Sequence, residues 1–338
     1  MKIRLNGYFD KNFGDDVMQL VLVDNMKEDI FFADCPQREF LTHFAGRKNV
    51  YINCPPNDID AYVNVIGTGF MYKSKMSILS KLLGLPREDK LKYGKTAAVG
   101  CSVEPPGGMT ERLLIRRELN KYRYLSCRDD ISESYMLKEA RRSIVRVHDD
   151  IVFGIDEKYI YKNTGEDCLG IIPVQRCGSD NNFEYYKYLA QACDSFADKH
   201  GKKVLLFALD TGNENDTLAA MSVKKLMNHS GSAEIIAYNS EPEYIFKNIA
   251  RCGRIVSSRF HGVVAALLEG VPVAAVSDRK KIDILSEKYG FETIKKSALR
   301  ENELSNMIER AVAPVTLPRG IANDARKHIT ELKEYLKG

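Results

Sequence analysis

Short apolar runs alternate along the chain with stretches whose apolar residues recur at three- and four-residue spacing, the pattern of parallel strands buried between helices. In the first half this predicts strands at 2–5, 49–52, 61–66, 96–99, 124–127 and 146–147, with helices at 15–26, 75–83, 110–121 and 131–139. The alternation restarts in the second half, with strands at 168–174, 203–208, 233–236, 254–257 and 273–276 and helices at 183–199, 217–227, 242–250, 262–268 and 282–288. Residues 157–167 lack periodicity and cluster Lys, Asn, Thr, Gly and Glu, which marks a linker near the middle of the chain. The predicted fold class is α/β: two doubly wound Rossmann-like domains, 1–160 and 161–315, facing a cleft. A charged segment, 316–338, carries a helix at 322–336 that crosses back to brace the first domain. Open sheets of this kind bind ligands beyond the carboxyl ends of their strands, so the informative residues should directly follow strands.

Composition narrows the class of protein. With 338 residues, 44% hydrophobic and 28% charged, the chain can bury substantial cores and is not disordered. Its formal charge of +4 comes from 50 basic and 46 acidic residues spread along the whole length, with no basic arm that would suggest a nucleic-acid partner. Eight cysteines occur without a CxxC pair or a histidine at zinc-ligand spacing, so they are expected to be reduced, mostly buried thiols, and no metal is expected. The N-terminal MKIRLNGYF lacks a signal-peptide apolar region, and nothing approaches the ~20 apolar residues that span a bilayer. A soluble cytoplasmic protein is expected, any membrane contact being peripheral and at the inner face of the plasma membrane.

Several clusters follow strands as required. Residues 7–16 run from the first strand into a helix; Gly14 permits a tight turn, and Asp15 or Asp16 either caps the helix or contacts substrate. Gly67 and Gly69 flank Thr68 after the strand at 61–66, and Gly100 follows the next strand. Arg128 closes a further strand beside Asp129 and Asp130, placed either to bind a phosphate or carboxylate or to pair with those aspartates. At 254–273 an apolar strand delivers Ser258, Arg259 and His261 to the start of a helix rich in small residues, where a fixed cation and a group titrating near neutrality meet the positive end of a helix dipole. His148 is a second-rank candidate, while His43, His200, His229 and His328 are expected on the surface.

Asn12-Phe13-Gly14-Asp15-Asp16, Arg128-Asp129 with Ser132, and Ser258-Arg259-Phe260-His261 followed by Glu269-Gly270-Val271-Pro272 together resemble the polysaccharide pyruvyl transferases. Gly67-Thr68-Gly69 stands where that family has a Gly-rich strand end, with Thr68 in place of a glycine. Ser277-Asp278-Arg279-Lys280-Lys281 replaces the family's Tyr-Asp-Pro-Lys-like run and keeps a lysine at Lys281. The resemblance spans roughly residues 3–290. It implies a fold like that of B-type glycosyltransferases, the first domain on the acceptor side and the second on the donor side. It also implies phosphoenolpyruvate as co-substrate, a nucleotide- or lipid-linked sugar as acceptor, a pyruvate ketal as product, and no further cofactor.

Phosphoenolpyruvate carries a phosphate and a carboxylate, so its site needs several cations and donors. Arg128, Arg259, Lys281, Arg176 and Ser258 are the candidates for that role, His261 is the candidate general acid–base, and Asp15 or Asp16 would act on the sugar hydroxyl. Asn12, Gly14, Gly67 and Gly69 are expected to line the acceptor side. Two other functions fit the same residues: a B-type glycosyltransferase using a nucleotide sugar, and a glycan- or nucleotide-binding protein without turnover.

Overall fold

A computed structural model of the chain describes residues 1–54, 56, 58–70, 93–175, 182–300 and 302–338. It divides into two units: the first comprises Met1–Phe9, Asp15–Ile155 and Gly320–Gly338, the second Asp10–Gly14 and Asp156–Arg319. The chain thus changes unit at 155/156 rather than at 160/161, and a short piece of its N-terminal region packs in the second unit.

In the first unit, β1 (Lys2–Gly7), β2 (Ile30–Ala33), β3 (Val50–Ile52), β4 (Ala61–Val65), β5 (Lys95–Cys101), β6 (Tyr124–Cys127) and β7 (Ile144–Val147) form one sheet in the order β3-β2-β1-β4-β5-β6-β7. Every described pairing is parallel, as in Leu5↔Val63 and Gly7↔Val65 between β1 and β4. All five β4 residues are buried, as expected for a strand covered on both faces. Helices α1 (Phe13–Asn25), α2 (Met109–Leu119) and α3 (Asp130–Glu139) connect the strands; the helix predicted at 75–83 lies outside the described residues.

The second unit repeats the topology. Strands β8 (Cys168–Ile172), β9 (Val204–Ala208), β10 (Ala233–Ala237), β11 (Cys252–Ser257), β12 (Val273–Val276) and β13 (Thr293–Ile294) are ordered β10-β9-β8-β11-β12-β13. Its helices are α4 (Asn182–His200), α5 (Asp216–Leu226), α6 (Pro242–Ile249), α7 (Phe260–Glu269), α8 (Lys280–Tyr289) and α9 (Glu303–Arg310). Both sheets are therefore doubly wound, and each reverses strand order at one point: between β1 and β4 in the first, between β8 and β11 in the second. Strands β2 and β13 and helix α9 have no counterpart among the predicted elements.

The linker is held by a residue of the predicted motif. Glu269 ends α7, is buried, and accepts hydrogen bonds from the backbone N–H groups of Tyr161 and Lys162 at 3.0 and 2.6 Å. Burial pushes its carboxyl up to about 7 against those bonds. Gly270 then closes the helix at φ 69°. Glu269-Gly270 is thus a helix stop and a linker clasp.

The last helix, α10 (Ile321–Lys337), packs in the first unit, with Tyr335 stacked on Tyr124 at 5.4 Å. His328 is fully buried there, its ring bonded to Ser126 Oγ at 2.8 Å and the Asp149 carbonyl at 2.9 Å. His43 is also buried, 2.9 Å from Gln19 Oε1 and 3.4 Å from Asp16 Oδ2. Neither is the surface residue expected, because each ring has found internal polar partners. His148 is largely covered too, its side chain 3.4 Å from Glu331 and 3.8 Å from Asp324.

Burial lowers the pKa of His43 to about 3, helped by Arg47, and that of His328 to about 4, helped by His148. The unfolded chain therefore binds protons below pH 6.5 that the folded state refuses until near pH 4, so stability is lost as pH falls through that window. The stability advantage of the wild type over His328→Asn should shrink by about 2 kcal/mol between pH 7.5 and 5, measured by urea denaturation of both proteins. A pH-independent difference would show that the ring is protonated in the folded state.

Candidate functional site

The second unit's reversal point is built by β11 and the start of α7. Ser257 Oγ closes the turn, accepting from the Arg259 N–H at 3.1 Å and donating to the Arg259 carbonyl at 2.8 Å. The following helix sits close on the strand, since a Cβ at Gly262 would lie 2.5 Å from Ser257 Oγ and 2.7 Å from Ile172 Cδ1. Arg259 occupies the N-cap position of α7, and His261 stands in its first turn.

Arg259 is locked in place. Its Nε and Nη2 donate to Asp216 at 2.8 and 2.6 Å, and Nη1 donates to Glu214. Burial works against this charge, but the Asp216 carboxylate, then Glu214, outweigh it and hold the guanidinium pKa above its ordinary value. Asp216 opens α5, is fully buried, and also accepts the N–H groups of Gln175 and Asp210.

Beside this pair, the segment carrying Asn12 crosses the end of β9. The Phe13 N–H donates to the Leu209 carbonyl at 2.8 Å, and Thr211 N–H to the Lys11 carbonyl at 3.1 Å. Asn12 Nδ2 donates to the buried Asp210 at 2.9 Å, while its Oδ1 accepts the Gly14 N–H at 3.1 Å. Asn12, not Asp15 or Asp16, is therefore the residue that caps α1; the two carboxylates lie in the first turn. Burial pushes the Asp210 carboxyl up to about 6, opposed by the Asn12 amide and Arg259.

Gly14 forms the floor under His261. A Cβ there would stand 1.7 Å from His261 Nδ1 and 2.2 Å from Cγ, so only glycine lets the imidazole occupy its position. Phe260 meets that ring edge-on at 5.2 Å, and Lys281 Nζ lies 5.4 Å from the Phe260 ring centroid. The unit thus gathers Asn12, Gly14, Arg259, His261 and Lys281 around one turn. Ser258 is nearby, but its hydroxyl is buried and shares a 2.6 Å hydrogen bond with Tyr185. Arg176 lies outside the described residues.

The first unit's reversal point holds a separate set. Asp15 Oδ1 accepts the Gly67 N–H at 3.3 Å, and Ser102 bonds the Gly67 carbonyl through both N–H and hydroxyl. Arg128 is buried, with Nη1 2.8 Å from Asp150 and Nη2 3.2 Å from Ser102 Oγ and 3.5 Å from Thr68 Oγ1. It pairs with Asp150, while Asp129 is turned to cap α3 through the Ser132 N–H at 2.7 Å. Asp16 is fully buried against His43, whereas Asp15 keeps partial exposure. Gly69 packs on Ile66, a Cβ there falling 2.6 Å from Ile66 Cγ2.

The profile of the polysaccharide pyruvyl transferase family matches residues 12–279, which takes in Asn12, Arg128 and the Arg259–His261 turn. The chain belongs to this family. No curated protein matches the pyruvyl transferase sequence. Among solved structures it is similar to UDP-GlcNAc 2-epimerase from Neisseria meningitidis bound to UDP-GlcNAc, at 13% identity and TM-score 0.62, covering 99% of this chain and 100% of that one. The epimerase from Methanocaldococcus jannaschii with UDP-GlcNAc and UDP gives 12% identity and TM-score 0.62, covering 99% and 100%. Anabaena HepE with UDP and glucose gives 10% identity and TM-score 0.60, covering 100% and 99%. At these identities the likeness is one of fold: two parallel-sheet α/β domains of the kind found in B-type epimerases and glycosyltransferases.

Asp210, Glu214 and Asp216 escaped the sequence reading although they follow a predicted strand, the same signal that picked out Arg128 and His261. Ser102 and Asp150 likewise stand just after the strands expected at 96–99 and 146–147, whereas Tyr185, inside a predicted helix, carries no such signal.

Proposed function

We propose that this pyruvyl transferase moves the pyruvyl group of phosphoenolpyruvate onto two hydroxyls of a nucleotide- or lipid-linked sugar in surface-glycan assembly, forming a ketal. The observation that carries the proposal is the packing of His261 on Gly14 beside the fixed guanidinium of Arg259, at the reversal point of the second sheet. Arg259, fixed at the start of α7, and Lys281, whose Nζ lies 5.4 Å from the Phe260 ring centroid, suit the donor's phosphate and carboxylate.

In the reaction, the donor's terminal carbon takes a proton and one sugar hydroxyl adds to the adjacent carbon. The C–O bond to phosphate then breaks as the second hydroxyl closes the ring. Of the two hydroxyl protons released, one replaces that given to the terminal carbon and the other leaves with phosphate. His261 would deliver or collect protons, and Asp15, partly exposed where Asp16 is not, would orient a hydroxyl. Arg128, its charge already met by Asp150, would hold Thr68 and Ser102 in place rather than bind the donor. The protein would act in the cytoplasm.

Glu214 occupies one face of Arg259 and is half exposed, so it stands where a donor anion would sit. Glu214→Ala is expected to tighten phosphoenolpyruvate binding about threefold to fivefold by titration calorimetry. Unchanged or weaker affinity would place the donor elsewhere.

A sugar-nucleotide transferase is the second reading, favoured by the UDP and UDP-GlcNAc in the similar structures. Incubation with each donor and a panel of sugar acceptors separates the two. Acceptor-dependent release of phosphate from phosphoenolpyruvate supports pyruvyl transfer; release of UDP from a UDP-sugar, with none of phosphate, refutes it.

A further inference from the structure

The fold concentrates charge that the sequence disperses. Residues 112–123 and 137–146 hold nine basic and two acidic residues, while the rest of the chain holds 41 basic and 44 acidic and is net negative. These two stretches are the last turns of α2 and α3 with the entries to β6 and β7, and three hydrogen bonds stitch them together. Asn120 Nδ2 donates to the Glu139 carbonyl at 2.8 Å, Ser143 Oγ to the Tyr122 carbonyl at 2.6 Å, and Ile144 N–H to the Arg123 carbonyl at 2.8 Å.

Both acids are already engaged, Glu139 by Arg112 at 2.6 Å and Glu118 by Lys121 at 3.0 Å, and Arg146 pairs with Glu331. Arg117, Arg123, Lys138, Arg141 and Arg142 are exposed and form no ion pair among the described residues. Between them stand exposed apolar side chains: Leu113, 56% accessible, Leu137, 61%, and Ile144, 43%. A water-facing corner rich in unneutralised cations has no need of leucines, whereas a surface entering the headgroup layer of an anionic bilayer uses both, the cations on lipid phosphates and the apolar chains just below them. Single-stranded nucleic acid fits less well, since Tyr122 and Tyr124 of this corner are buried and offer no stacking face.

We propose that this corner of the first unit docks on an anionic lipid bilayer. It lies at the amino ends of β6 and β7, the edge of the sheet opposite to Gly67, Gly100 and Arg128, so docking leaves the carboxyl edge of that sheet uncovered. The proposal does not depend on the reaction the protein catalyses.

Flotation of the full chain with vesicles of phosphatidylcholine, or of phosphatidylcholine with phosphatidylglycerol, tests it. The protein is expected to float only with the anionic vesicles, and less as salt rises. Arg117→Glu/Arg141→Glu/Arg142→Glu should weaken partition about tenfold or more, Leu113→Ser/Leu137→Ser should weaken it with every charge intact, and His261→Ala should bind as the wild type does. All are changes at exposed positions except the last, which reads whether docking and turnover are separate. Equal partition of wild type and the charge-reversed variant overturns the proposal. So does the absence of wild-type binding to anionic vesicles, including the case in which the protein is instead retained on heparin or DNA.

Discussion

Gly14→Ala is expected to abolish turnover as completely as His261→Ala. The new methyl would lie 1.7 Å from His261 Nδ1 and 2.7 Å from its Cβ, and no rotation of the ring alone relieves contact with Cβ. Either the imidazole leaves its position or the segment around Asn12 lifts off β9, breaking the bond from Asn12 to Asp210. Removal of a general acid–base group costs about 100- to 10,000-fold, so phosphate release should fall by at least about 100-fold while far-UV circular dichroism stays native. The decisive comparison is the double variant: if Gly14 acts by placing His261, Gly14→Ala/His261→Ala should be no slower than His261→Ala. Independent, multiplying losses would mean that Gly14 serves the reaction in some other way.

Asp150→Ala is expected to cause the largest loss of stability. It would take away the carboxylate that lies 2.8 Å from the buried Arg128 guanidinium, and removing one partner of a buried pair costs about 3–5 kcal/mol. Asp150 also caps the short helix Ile151–Gly154 through the Val152 N–H, adding about 1 kcal/mol. Urea denaturation should register the sum, and Arg128→Met placed on top should recover part of it by removing the buried charge. A loss under ~1 kcal/mol would show that water reaches Arg128, and would return that residue to the candidates for binding the donor.

The alternation of short apolar runs with amphipathic stretches was enough to read two parallel α/β domains, because a doubly covered strand must be apolar along its whole length. Helix α2 was placed within two residues of its observed ends. Strand β2 was not: Ile30–Ala33 is four residues long, and what makes it a strand is its place between β1 and β3, a tertiary fact. Strand-end logic found Arg128, Arg259 and His261. Their partners were less legible, since Asn12 and Asp210 stand 198 residues apart and Arg128 and Asp150 22 apart. Likewise the two basic stretches, 112–123 and 137–146, can be read one by one along the chain, but they form a single corner only once the ends of α2 and α3 lie side by side.

Pyruvyl transfer itself is tested most directly by incubating the protein with carbon-13-labelled phosphoenolpyruvate and sugar acceptors and weighing the sugar by mass spectrometry. The expected product gains one labelled pyruvate less one water, with one phosphate released for each sugar modified and none with His261→Ala. A sugar of unchanged mass while UDP is released from a sugar nucleotide would contradict the account.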